Sequence, residues 1–221
     1  MYDLPYFKET DPAVVNTFIT DHPFAFLSGC DAGNQPVVTQ LPLFLDQRGN
    51  TIYLSGHIMR NTDHHLAFVH NPNVLAVFTG AHSYVSASWY SNPRQASTWN
   101  YMSVHAKGIL KFLDQDGLLA ILKRTTNYFE NDPHSPSNFE QLPEEYVGRL
   151  SRAIIGIEIE VNRMENVFKL SQNRDEASYQ HIIEKLSTGE GDGKTVAAEM
   201  KKRASRVFSQ PDSSKENFPR P

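Results

Sequence analysis

Within seven residues, Ser55-Gly56-His57-Ile58-Met59-Arg60-Asn61 offers a hydroxyl, an imidazole and a guanidinium. The pattern reads as a strand end running into a helix start, where backbone N–H groups lie free of intrahelical partners. Such a corner suits a terminal phosphate, because a helix N-terminus favours negative charge and a guanidinium can take two oxygens at once. An ordinary surface turn accounts for the same residues equally well.

Ser88-Trp89-Tyr90 and Thr98-Trp99-Asn100-Tyr101 each set a flat ring beside hydrogen-bonding groups and could wall a planar ligand. Core or interface packing of the rings is the plainer reading of either cluster. Ser171-Gln172-Asn173-Arg174 follows the apolar Phe168-Lys169-Leu170 as four consecutive polar side chains, fit for ligand contact or for capping the next helix. Nine histidines include His57, His64, His65 and His70, yet no carboxylate pair joins them at ligand spacing, so no metal site is expected. Cys30 is the single cysteine, which excludes an intramolecular disulfide and reads as a small buried residue. No G-x-G-x-x-G, P-loop, G-x-S-x-G or H-E-x-x-H occurs, and no residue stands out as catalytic.

The elements that must position these groups follow from periodicity and turn chemistry. Asp11-Pro12 caps a first helix, ended by Pro23. Strands over Phe24–Cys30, Pro36–Leu45 and Thr51–His57 are separated by turn formers too short for crossover helices, so they form an antiparallel meander. A short helix over Thr62–Asn71 precedes a strand at Val74–Thr79, with Tyr84–Trp89 extending the sheet. Thr98–Phe112 is one bent strand or two short ones, with a bulge at Gly108. Asp114 or Asp116 caps a helix to Glu130, a loop covers Asn131–Leu142, and Pro143 opens a helix to Arg152. Ile154–Val161 alternates as a half-buried strand, with Asn166–Leu170 as its hairpin partner. Helices over Ser178–Leu186 and Thr195–Phe208 are joined by a linker over 187–194, and the stretch from Ser209 is expected to be a disordered tail. Six or seven short strands with packed helices predict a mainly β, α+β fold: a small antiparallel barrel.

With 221 residues, 39% of them apolar, the chain can bury a sizeable core. Its charge is uneven: residues 1–193 hold 14 basic and 22 acidic side chains, residues 194–221 hold 7 and 3. An acidic body repels polyanions, so any DNA contact falls to the last helix, through Lys201, Lys202, Arg203 and Arg206. No apolar run approaches the roughly 18 residues of a membrane span, and a cytoplasmic, membrane-free protein is expected.

Taken in order, Tyr6-Phe7, Leu41-Pro42-Leu43, Gly56-His57, Arg60-Asn61, Ser86-Ala87-Ser88-Trp89-Tyr90, Thr98-Trp99-Asn100-Tyr101, Val104-His105 and Lys169-Leu170-Ser171-Gln172-Asn173-Arg174 resemble the PaiB family over about residues 1–186. The family is described as FMN-binding negative transcriptional regulators. The resemblance implies a six-stranded antiparallel split β-barrel that forms a homodimer and holds FMN between subunits. It implies phosphate contacts from Ser55, His57, Arg60 and Asn61, and ring contacts from Thr39 and Gln40. Trp99, Asn100, Gln172 and Arg174 would come from the second subunit. The domain layout expected is a flavin-binding barrel over residues 1–175, a helical extension over 176–208 and a tail over 209–221. One departure stands out: Arg60 is the only Arg or Lys between Gly49 and Pro93, so either Lys107 or Arg174 adds charge or FMN affinity is modest. The roles implied are regulation with flavin as ligand or redox signal, FMN-dependent oxidoreduction of the flavin-reductase or pyridoxamine-phosphate-oxidase kind, or flavin or haem sensing without turnover.

Overall fold

The computed structural model describes residues 1–208, and the tail expected from Ser209 onward lies outside the described residues. Seven strands form one sheet in the order β2-β1-β5-β6-β7-β4-β3. They are β1 Phe24–Cys30, β2 Pro36–Pro42, β3 Phe44–Arg48, β4 Thr51–Met59, β5 Asn73–Val85, β6 Thr98–Phe112 and β7 Ile154–Lys169. The pairs β1–β2, β1–β5, β3–β4 and β4–β7 are antiparallel. Six α-helices accompany them: α1 Pro12–Asp21, α2 Asp63–His70, α3 Gln115–Glu130, α4 Glu144–Leu150, α5 Glu176–Thr188 and α6 Gly193–Phe208. This is the expected mainly β, helix-flanked class, with seven strands where the resemblance implied six.

The seventh strand arises at Leu43. Pro36–Leu45 is not one strand: β2 pairs with β1 up to Phe24↔Pro42, whereas Phe44 already faces Ser55 across β3–β4. Pro42 has no N–H to donate, and the Leu43 amide bonds to Pro23 O at 2.8 Å instead, so the chain changes partners there. Asn166–Leu170 is not a hairpin partner either. Residues 162–165, Asn-Arg-Met-Glu, hold neither Gly nor Pro and only Asn162 as a turn former, and β7 runs unbroken through them. Tyr84–Trp89 divides between the end of β5 and a 3-10 turn at Ala87–Trp89, capped by the Ser86 hydroxyl. Thr98–Phe112 is a single strand. Gly108 admits a neighbouring backbone, because a Cβ there would lie 2.4 Å from Glu160 O. The expected eight-residue linker between the last two helices shrinks to four residues, 189–192, since α5 continues through Thr188 and α6 starts at Gly193.

The chain divides into two compact units. One comprises Asn16–Phe78 and Val104–Glu165, the other Met1–Val15, Thr79–Ser103 and the stretch from Asn166 onward. The first buries Leu27, Leu43, Leu54, Phe78, Leu118, Ile157 and Ile159. Here α3, capped by Asp114 through the Gly117 amide at 2.9 Å, covers the β3–β4 face that carries Phe44. The second unit buries Leu170, Tyr179, Ile182, Val196 and Met200, largely between α5 and α6. At roughly 25 cal/mol per Å² of apolar surface, such clusters supply most of the driving force for folding.

Candidate functional site

The corner read from the sequence lies at the end of β4. Ser55 and His57 share one face of that strand, opposite Glu158 and Gly156 of β7. A Cβ on Gly156 would touch Leu113 and the Leu118 Cα, so this face is the one α3 covers. Ser55 is buried, and burial pushes the His57 imidazole below its ordinary pKa, leaving it neutral at pH 7. Between them, Gly56 lets β2 come close: a Cβ there would stand 2.7 Å from Pro42 O.

Arg60 and Asn61 form the exposed end of the corner. The Arg60 amide donates to Ala153 O and its Nε to Ile154 O, each at 2.9 Å. The guanidinium is thereby pinned to the start of β7 with its Nη groups uncommitted, and no carboxylate pairs with it among the described residues. Asn61 takes the left-handed conformation, φ 61°, and its amide donates to His65 Nδ1 at 3.1 Å. Thr62 caps α2 through the His65 amide, and Asp63 Oδ1 accepts from the His64 amide at 2.7 Å. Thr62 and His65 shape the turn, yet the sequence reading assigned neither a role, although a Thr just ahead of a helical run is itself a cap signal. Because Asp63 already serves one amide of the first turn, the positive charge at this corner rests on Arg60. A dianionic phosphate would meet one full charge, hydroxyl and amide donors and a neutral imidazole, a set that fits FMN with modest affinity.

The pleat separates Thr39 and Gln40. Thr39 faces Leu27, whereas Gln40 faces Phe26. That second face is apolar and open: Phe24, Phe26 and Val38 are 58%, 42% and 56% exposed.

In the other unit, Trp99 is exposed and packs near His82 and Tyr84, while Asn100 points to the opposite side of β6 and is fully buried. Asn100 Oδ1 accepts from the Ser171 hydroxyl at 3.0 Å, and its Nδ2 contacts Met200 Sδ at 3.5 Å. Ser171 holds φ 63°, a conformation that costs a non-glycine residue about 1–2 kcal/mol. Gln172 folds back on its own turn, accepting from the Leu170 amide at 2.7 Å and donating to Phe168 O at 2.5 Å. Arg174 stacks over the Tyr90 ring at 4.1 Å and donates to Gln95 Oε1. Asn100 and Gln172 therefore hold the turn, and Trp99 and Arg174 are the two side chains of this group left facing outward.

Of the five basic residues on α6, Lys202, Arg203 and Arg206 are engaged within the protein. Glu9, 5% exposed, accepts from Arg206 Nη1 and Nη2 at 3.0 and 2.9 Å and pairs with Arg203 at 3.6 Å. Arg203 also pairs with Glu199, as does Lys202 at 2.6 Å. Among the described residues there is no group of three or more His, Cys, Asp or Glu able to hold a metal, and no helix is long and apolar enough to cross a membrane.

A helix-flanked antiparallel sheet of this order defines the class, a split-barrel protein. Residues 1–163 match the family described as "Putative FMN-binding domain", and the chain belongs to that family, whose description supplies the cofactor, FMN. The protein is 30% identical over 200 residues to protease synthase and sporulation protein PAI 2 of Bacillus subtilis, covering 90% of this chain and 96% of that one. Two solved structures share the fold. A conserved hypothetical protein of Mycobacterium tuberculosis has a TM-score of 0.54 at 11% identity, over 76% of this chain and 91% of that one. The flavocytochrome Anf3 of Azotobacter vinelandii has a TM-score of 0.53 at 17% identity, over 76% of this chain and 72% of that one.

Proposed function

We propose that the protein is a homodimeric FMN-binding regulator of the PaiB type, with flavin as its ligand or redox signal. The observation that carries the reading is Arg60, pinned by two backbone carbonyls with its Nη groups turned out and free of any carboxylate among the described residues. In this reading Arg60 and Asn61 meet the FMN phosphate, with Ser55 and His57 behind them. Gln40 lies along the ring with Thr39 on the opposite face of β2, and Trp99 and Arg174 approach from the second subunit, braced by Asn100 and Gln172. The open face at Phe24, Phe26 and Val38 supports the dimer, since apolar area of this kind is covered in a stable assembly. When bound, FMN supplies hydride or single-electron transfer, while the chain's own residues bind and orient it.

A regulator that touches DNA does so through α6. With Arg203 and Arg206 engaged by Glu9, the exposed lysines Lys201 and Lys202 remain, Lys202 paired only at the surface with Glu199. A gel-shift titration should then show weak binding whose log affinity falls with log salt at a slope of about −2 per chain. Binding indifferent to salt, or none at all, removes the DNA contact. The engaged arginines favour a second reading, an FMN-dependent oxidoreductase of as yet unassigned substrate. Anaerobic NADH or NADPH should then bleach the flavin absorbance, and a spectrum that stays oxidised rejects it.

A further inference from the structure

Two cations of the unit containing Met1–Val15, Thr79–Ser103 and residues from Asn166 onward are held in an uncommon way. Lys169 Nζ donates to Thr98 Oγ1 at 2.5 Å and lies 5.3 Å over the Tyr2 ring and 6.0 Å over the Phe7 ring. Arg174 donates through Nη1 to Gln95 Oε1 and lies over Tyr90. Neither forms an ion pair among the described residues, although the chain carries 25 acidic side chains. Neutral oxygens and ring faces orient both charges without neutralising them. One N–H of the ammonium is used, leaving two, and the Nε–Nη2 edge of the guanidinium stays open, the edge that takes two oxygens of one anion.

Three further features mark the place. Burial first, and the Arg174 charge second, lower the Lys169 pKa, and no carboxylate pairs with either cation among the described residues. The Tyr90 hydroxyl, beneath Arg174, is buried with no hydrogen-bond partner among the described residues. The turn that links the two cations passes through Ser171 in its left-handed conformation, locked by Asn100, and such strain persists where the surroundings enforce it.

We propose that Lys169 and Arg174 form a binding site for a small oxyanion, a phosphate or carboxylate group, supported by Thr98 and Tyr90. All of its residues belong to one compact unit and none of them forms the corner at Arg60, so the chain carries the site whether or not flavin is bound. An anion there is a substrate or effector of the flavoprotein rather than the phosphate end of its cofactor.

Calorimetric titration of the flavin-free full chain with sodium phosphate, and separately with sodium benzoate, at constant ionic strength tests the site. Saturable binding of at least one of the two is expected, and which of them binds identifies the source of the oxyanion. Lys169→Met, which keeps the apolar stem, and Arg174→Gln should each weaken it about tenfold or more. Lys185→Gln, an exposed lysine on α5, should leave it unchanged. Thermal melts confirm folding, and if one variant fails to fold the other decides. Absence of saturable binding, equal affinity in wild type and both site variants, or an equal loss in Lys185→Gln overturns the site. FMN titration of the same proteins separates the two claims. A chain that takes phosphate but no FMN loses only the flavin reading, and one that takes FMN with no response to either anion loses only this one.

Discussion

At the scale of single residues, the corner at the end of β4 carries one full charge, that of Arg60. His57 cannot add a second at neutral pH, because burial lowers its pKa. The same cause, burial, lowers His65 and His105 below 6.5. An imidazole that resists protonation in the folded state binds fewer protons than in the unfolded chain, so stability from these three residues is present above pH 6.5 and is lost as pH falls below it. Acid melts between pH 7 and about 5 should show a falling Tm, and His57→Gln should flatten that slope. An unchanged slope would mean that the His57 ring is not the buried, neutral group described here. Much of this chemistry was legible in the sequence, since Ser55 to Asn61 announce themselves by type and spacing. The solvation of each side chain was not, because the face of β4 that α3 covers is decided by tertiary packing. Thr39 and Gln40 show the limit plainly: adjacent in sequence and assigned one task, they are sent to opposite faces by the pleat.

Among the elements, α6 is the instructive case. Its basic character reads from the sequence as a surface for a polyanion, but Glu9, far away in the chain, draws Arg203 and Arg206 onto itself. Glu9 also accepts from the amides of Thr10 and Asp11 at 3.0 and 3.3 Å. Desolvation works to raise its pKa, yet hydrogen bonds from Arg206 and Asp11 and the nearby guanidinium charges outweigh it and hold the carboxyl below its ordinary value. Removing the charge by Glu9→Gln leaves Arg206 without its carboxylate and Arg203 with Glu199 alone, and should cost about 2 kcal/mol at pH 7, read by denaturant unfolding. Because the folded-state pKa is depressed, the stabilisation is present above the unfolded value of 4.5 and disappears as pH falls below it, so the gap between variant and wild type should close in acid. A gap that persists at pH 3 would show that the carboxylate charge is not what holds α6. Element identity was the part of the fold most open to reading: α1, β1, β4, α2 and α3 all stand where periodicity and caps put them. The misreadings cluster where partner choice decides. Leu43 separates β2 from β3 only because its amide is captured by Pro23, and β7 continues past Val161 although the apolar alternation there fades.

For the whole molecule, the exposed face at Phe24, Phe26 and Val38 is the feature that asks for a partner, and the proposed dimer provides one. Burying three large side chains contributes roughly 1.5–3 kcal/mol each, so a charge placed among them should be decisive. Phe26→Asp is expected to shift the protein from dimer to monomer in sedimentation or light scattering, with the fold retained because Phe26 lies outside the core. A wild-type monomer, or a variant that still dimerises, places the interface elsewhere. The acidic body, with only the exposed Lys201 and Lys202 left of the four cations expected to meet DNA, sets the ceiling on any DNA affinity at the same scale. The account rests most heavily on FMN at Arg60, and equilibrium titration by flavin fluorescence quenching, comparing wild type with Arg60→Ala, reaches it most directly. One FMN per chain is expected, with affinity reduced about tenfold to a hundredfold in the variant and melting behaviour preserved. Failure of the wild type to quench FMN, or equal affinity in the two proteins, would contradict it.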